Sequence, residues 1–295
     1  MEPIKEPTPL VLVTSSPHMH CGLTIGKSMR EVMLALVPAI IASVYYFRMS
    51  AAIVMVTCVV SAIVFETICN KVMHKPNTVQ DGSAALTGLL LAMCLPASMP
   101  PLFAAMGSMF AIVVGKAVFG GLGCNIFNPA HIGRAILLAS FPQQMTNWVL
   151  PATAAASDAV STATPLAVMR ATEKIWQAGG AASAAKLPDL MNLFWGNVGG
   201  SLGETCVPAL VLGGLYLIYK KLIDWRIPVF YLVTVAILTG VYGAVMGYPS
   251  TFPLYHLFAG GLMIGAFFMA TDWVTSPITK KGKICLLYTS DAADE

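Results

Sequence analysis

The stretch FGGLGCNIFNPAHIGRA, residues 119–135, interrupts a chain that is otherwise mostly apolar. An apolar run, 102–118, leads into it, and a short apolar run, 132–141, follows. Gly120, Gly121, Gly123 and the Asn128-Pro129 pair are poor helix formers, and lipid tolerates irregular backbone only where protein covers it. The stretch therefore predicts a membrane protein with broken helices. A tilted short helix buffered by its neighbours is the plainer alternative.

Composition supports a bilayer as the solvent. Of the 295 residues, 57% are hydrophobic and 11% charged, with a mean hydropathy of +0.74. Soluble domains carry about 25% charged residues, so this chain lacks the polar surface to cover a soluble globule. A net charge of +3 is too small to point to nucleic acid. None of the seven cysteines forms a C-x-x-C pair, which argues against zinc or a self-contained iron–sulfur cluster. A His18-Met19-His20 triplet in the N-terminal arm is weak evidence for metal, and no metal site is expected. The arm mixes charges of both signs with prolines and reads as a soluble lead-in rather than a signal peptide.

A spanning helix needs roughly 20 apolar residues. The runs 33–47, 51–68, 84–95, 102–118, 132–141, 207–219, 228–246 and 254–270 give about eight membrane segments. Two of them, 84–95 and 132–141, are short, and each follows a polar or small-residue turn, the first being DGSAALTG from Asp81. Short segments interrupted by Gly or Pro point to discontinuous helices whose ends bind ions or anionic groups. Lys27 and Arg30, Lys71 and Lys75, Lys220 to Arg226, and Lys280 to Lys283 all fall on one side if the crossings alternate. The positive-inside rule makes that side cytoplasmic. The N-terminus is then inside, and the long segment 142–202, with Trp148, Trp176 and Trp195, is outside.

That outer segment contains SDAVSTAT, residues 157–164. Its hydroxyls suit helix capping, each worth about 1 kcal/mol. The string from Asp158 to Thr164, with Ser161 between, also resembles the acceptor motif of flavin transferases, in which the last Thr is esterified to the phosphate of FMN. Those transferases work outside the cytoplasmic membrane, where the charge pattern places the loop.

The resemblance extends along the chain. TSSPHMH (14–20), DGSAALTGLLLAMCLP (81–96), FGGLGCNIFNPAHIGRA (119–135), GGSLGETC (199–206) and MATDWVTSPIT (269–279) resemble, in order and spacing, the D subunit of Rnf complexes. They are also similar to the B subunit of sodium-pumping NADH:quinone reductases, and the short N-terminal arm favours the former. The resemblance implies an all-α polytopic membrane protein, a channel-like bundle of inverted repeats with broken helices, about five segments each. On that scheme 1–30 is a cytoplasmic arm, 31–141 the first repeat, 142–202 the flavin-bearing loop and 203–284 a truncated second repeat. Residues 285–295, CLLYTSDAADE, read as a translated sequencing adapter, the alternative being a short acidic tail.

The resemblance further implies a subunit of an ion-translocating ferredoxin:NAD⁺ oxidoreductase in the bacterial inner membrane. Covalent FMN on Thr164, export of Na⁺ or H⁺, a flavin transferase for maturation, and ferredoxin and NAD⁺ reached through partner subunits come with it. A second, non-covalent flavin is also implied. Asp158 would serve recognition by the transferase or orient the loop, with a plain N-cap as the equal alternative, and Ser161 is the central hydroxyl of the acceptor string or a helix cap. Asn125, Asn128, His131 and Arg134 resemble the family's flavin-contact stretch, with a snorkelling arginine as the rival for Arg134. Asp81, Ser83 and Thr87 line a flavin pocket or ion path, or cap a helix. Glu204 orients an ion or the flavin. Glu66, inside the second segment, reads as a carboxylate snorkelling to the cytoplasmic edge rather than transferring ions. A non-redox channel or secondary transporter would use the same broken helices directly.

Overall fold

The structure, a computed structural model, describes residues 24–75, 78–151, 163–177, 187, 189–204, 206–277 and 282–283. Helix α1, Ile25–Val72, opens under the Thr24 cap, whose hydroxyl accepts the Lys27 amide at 3.3 Å. Its register breaks at Arg48 (φ 53, ψ −134), where the charge and the Met-Ser that follow end the first apolar run. The chain doubles back there, because Ile25 at one end of α1 and Asn70 at the other line the same cavity. Small residues face inward on both limbs: Ala35, Ala39 and Ser43 on the first, Ala51, Cys58 and Ala62 on the second.

Between and against those limbs runs α2, Ser83–Met93, which is almost wholly buried. A turn at Val79–Asp81 and Gly82 in the left-handed region (φ 73) aim it inward. Gly88 lets it approach, since a Cβ there would lie 2.6 Å from the Cys58 carbonyl oxygen. Its 11 residues rise about 16 Å, roughly half of a ~30 Å hydrocarbon core. Beyond Cys94 the chain bends and turns. There the Leu95 carbonyl accepts the Leu202 amide at 3.0 Å, and Pro96 and Ser201 form an isolated antiparallel bridge. Helix α3, Pro101–Ile112, continues as a π-turn, Val113–Ala117, and gives way at Gly120, Gly121 and Gly123, all with positive φ. The broken backbone expected of 119–135 is therefore present. Asn128 restarts the helix as α4, Pro129–Ser140, its side-chain oxygen accepting the Ala130 amide at 3.0 Å.

After the short α5 (Pro142–Met145) come α6, Pro165–Gln177, and α7, Leu190–Trp195. The second half holds α8, Val207–Tyr219, and α9, Arg226–Met246. It closes with α10, Phe252–Phe258, and α11, Leu262–Ile264, which runs on as a π-turn, Gly265–Met269. The apolar pattern predicts a single segment over 254–270, but the chain bends by 64° between α10 and α11. The signal was Ala259-Gly260-Gly261, with Gly260 at φ 71.

Among the described residues α1 and α9 are long and apolar enough to cross a membrane, and the bent α10–α11 pair, counted as one span, brings the number to three. The shorter apolar helices are Ser83–Met93, Pro101–Ala117 and Val207–Tyr219. On α9 the residues Val233, Ile237, Val241 and Val245, spaced i+4, form an exposed apolar stripe, as a lipid-facing helix requires. The molecule is a helical integral membrane protein.

Candidate functional sites at the two ends of the bundle

Thr164 stands at the start of α6. Its hydroxyl accepts the Ala167 amide at 3.2 Å and its carbonyl accepts the Val168 amide at 3.0 Å, so it caps the helix. Pro165 follows at the first helical position, where a missing N–H costs least. Met169 and Thr172 are buried on one face of α6, and the Trp176 ring packs on Tyr248 at 4.8 Å. Glu173 lies 3.9 Å from His256 of α10. Burial pushes the Glu173 carboxyl up, against the pull of Arg170. Tyr248 follows the far end of α9, so α6 rests there. The helix start offers partial positive charge and unpaired amides, which suit a phosphate. A phosphate ester on the capping hydroxyl therefore fits this position. Asp158 and Ser161 lie outside the described residues.

The other end of the bundle is basic. Lys220 at the end of α8 reaches Glu31 of α1 (3.8 Å), Lys283 and Arg226 both bind Asp224 (3.2 Å), and Lys75 donates to the Gly120 carbonyl (2.6 Å). Two cavities open among these elements. The more apolar of them, about 250 Å³, is framed by Met29, Leu86, Leu90, Leu217 and Phe268. Ser83, Thr87, Lys116, Asn125, Asn128 and Asp272 supply its polar rim. Asn125 donates to the Phe127 carbonyl at 3.1 Å, which steadies the glycine loop beside it. Burial pushes the Asp272 carboxyl up, against the Val274 and Trp273 amides and the Thr275 hydroxyl. An apolar slot with a few convergent polar groups is the form of a small-molecule site, typically ~300–1,000 Å³. Ser83 and Thr87 line this cavity and Asp81 lines the neighbouring one.

Between the two cavities sits a pair that sequence reasoning missed. Lys116 Nζ lies 2.8 Å from Glu66 Oε1 and donates to Ser83 Oγ at 2.7 Å. Thr78 donates to the same carboxylate oxygen at 2.7 Å and accepts from Asn70 at 3.0 Å. Glu66 is 3% exposed and its Oε2 is buried without a hydrogen-bond partner. Glu66 therefore does not snorkel. It is held inward because a lysine from another helix supplies the counter-charge, and the lysine in the apolar run VVGKAVF was the available signal.

Arg134 and Glu204 leave the polar cavity altogether. Arg134, midway along α4, lies beside the Cys94 thiol and the Glu204 carboxylate. Glu204 belongs to the turn Leu202–Glu204 before α8, held by Ser201. His131, one turn before Arg134, shares its helix and not the cavity wall. The expected cofactor contacts thus divide: Asn125 and Asn128 share the basic-end cavity, Arg134 and Glu204 flank the gap at Gly261, and Thr164 stands with α6 at the opposite end.

Helices broken inside the bilayer, a carboxylate–lysine pair in the interior and polar sites at opposite ends define a polytopic membrane protein of the ion- or electron-handling class. The chain belongs to the NQR2, RnfD, RnfE family, whose pattern it matches over residues 12–288. It is 49% identical over 275 residues to the D subunit of the proton-translocating ferredoxin:NAD(+) oxidoreductase complex of Clostridium ljungdahlii, covering 92% of this chain and 81% of that protein. The D subunit of the Na(+)-translocating ferredoxin:NAD(+) oxidoreductase complex of Acetobacterium woodii is 43% identical, with 92% and 80% covered. The D subunit of an ion-translocating oxidoreductase complex of Rhodobacter capsulatus is 40% identical over 293 residues, with 91% and 80% covered.

Proposed function

We propose that this chain is the D subunit of an Rnf-type ion-translocating ferredoxin:NAD⁺ oxidoreductase, carrying FMN esterified to Thr164 on the extracytoplasmic side. The observation that carries the reading is the Thr164 hydroxyl at the start of α6, on the end of the bundle opposite the basic residues. The positive-inside rule then puts the basic end in the cytoplasm and α6 outside. FMN supplies one- and two-electron transfer when bound. The residues of this chain tether and orient it: Thr164 provides the ester oxygen, the first turn of α6 faces the phosphate, and Met169, Thr172 and Trp176 seat the helix. Asp158 and Ser161 complete the recognition string for the transferase.

A second, non-covalent flavin bound at the basic-end cavity would find Asn125 and Asn128 as polar partners and Leu86, Leu90 and Phe268 as apolar lining. Ferredoxin and NAD⁺ are reached through other subunits of the complex. Relatives named for proton and for Na⁺ translocation are similarly close to this chain, so both ions belong in any assay of it.

The test is in-gel flavin fluorescence of the denatured chain after co-expression with a flavin transferase. A fluorescent band is expected from the natural chain and none from Thr164→Val. A band that persists in the Val variant overturns the attachment site. A natural chain that stays dark favours a non-redox channel or transporter.

A further inference from the structure

Three interruptions of the helical backbone converge in the interior. Helix α2 ends at Cys94 after a rise of only about half the hydrocarbon thickness. The turn bearing Glu204 meets it through the Leu95–Leu202 hydrogen bond, and Gly261 marks the break between α10 and α11. Helices that stop inside a membrane leave their last carbonyls unpaired, and such ends attract cations. Arg134 of α4 enters this junction. Its Nη1 and Glu204 Oε1 each stand 4.0 Å from where a Cβ on Gly261 would sit, so the two charges flank the same gap. Gly200 leaves room for the Glu204 carboxylate, since a Cβ there would come within 2.6 Å of its Oε2. Arginine stays protonated under all physiological conditions, and a fixed guanidinium in a narrow passage repels cations.

The geometry points to Arg134 as a tethered cation that plugs the junction where these helix breaks converge, with Glu204 as its nearby counter-charge. The guanidinium occupies the place where a free Na⁺ or hydronium would otherwise pause. Ions then cross only when the surrounding breaks rearrange, and the resting protein is tight. This inference rests on the reading of the chain as part of an ion-translocating complex. It is nonetheless tested by passive leak in the absence of ferredoxin and NAD⁺, whereas the flavin reading is tested by fluorescence, so the two fail separately.

The experiment uses the assembled complex in phosphatidylethanolamine/phosphatidylglycerol vesicles. ²²Na⁺ uptake and proton entry under an imposed potential are followed together with release of trapped carboxyfluorescein. Arg134→Gln is expected to raise passive cation entry by at least about tenfold, with dye release unchanged, and Arg134→Lys is expected to restore tightness. A plain packing defect would pass dye as well as cations. An assembled Arg134→Gln complex as tight as the natural one overturns the inference, as does one in which dye and cation leak rise together. Should the single variant fail to assemble because Glu204 is left unpaired, the double variant Arg134→Gln/Glu204→Gln carries the decision. Selective cation leak supports the plug, and a tight double variant removes it.

Discussion

Lys116 and Glu66 are fifty residues apart, yet each is almost completely enclosed and each is the other's main partner. Removing one side of a buried ion pair typically costs about 3–5 kcal/mol, because the survivor keeps its desolvation penalty. Lys116→Met should therefore lower the melting temperature of the detergent-solubilised protein sharply. Lys116→Met together with Glu66→Met should recover most of the loss, and a double variant as unstable as the single would show that the pair contributes little. Thr164 illustrates the opposite case. Its capping role and its proposed ester use the same oxygen, so the unmodified chain already holds that atom at the helix start. The motif around Thr164 is contiguous and was legible in the sequence. The Lys116–Glu66 contact is made between helices, and spacing along the chain carries no trace of it beyond a charge at an unexpected place.

Among the elements, α2 depends most on close approach. A methyl at Gly88 would meet the Cys58 carbonyl at 2.6 Å and the Val59 Cα at 2.9 Å, both backbone atoms that cannot step aside. Gly88→Ala should push α2 off the second limb of α1 and destabilise the fold by about 1–3 kcal/mol, read as a lower thermal midpoint. The turn between α8 and α9 provides a pH-dependent contribution. Burial pushes the Asp224 carboxyl up, but the Arg226 amide, the Lys283 ammonium and the Arg226 guanidinium outweigh it, and the net shift is downward. A carboxyl shifted downward stabilises the fold above its unfolded value, about 3.9, and the contribution is lost as pH falls through the lower, folded value. Asp224→Asn should thus be less stable than the natural chain at neutral pH, with the gap closing in acid. A gap that is unchanged down to about pH 3 would contradict the assignment. Short elements were readable from their flanking turns, as with 84–95 and 132–141. The break inside 254–270 carried a weaker signal, Ala259-Gly260-Gly261, because two glycines in an apolar run also fit an unbroken helix, and the backbone angle at Gly260 decides between the two.

For the whole molecule, apolar patterning and the distribution of lysine and arginine foretold a helical membrane protein with one basic end, and the contacts of Glu31, Asp224 and Gly120 bring those basic residues together. What patterning could not foretell is which charges come near each other, since Arg134 and Glu204 belong to opposite halves and flank the same gap at Gly261 only after both halves have packed. The same dependence governs how the chain is made. Helix α2 is too short to stop in a bilayer as a span, and the Leu95 carbonyl finds its partner only at Leu202, more than a hundred residues later. During synthesis α2 must therefore wait, lodged against the α1 hairpin or in the insertion machinery, until the second half emerges and Ser43 closes on the Leu202 carbonyl. A ribosome stalled before residue 202 would hold an unfinished membrane domain, and the short contact at Leu95 and Leu202 is the stitch that ends its insertion.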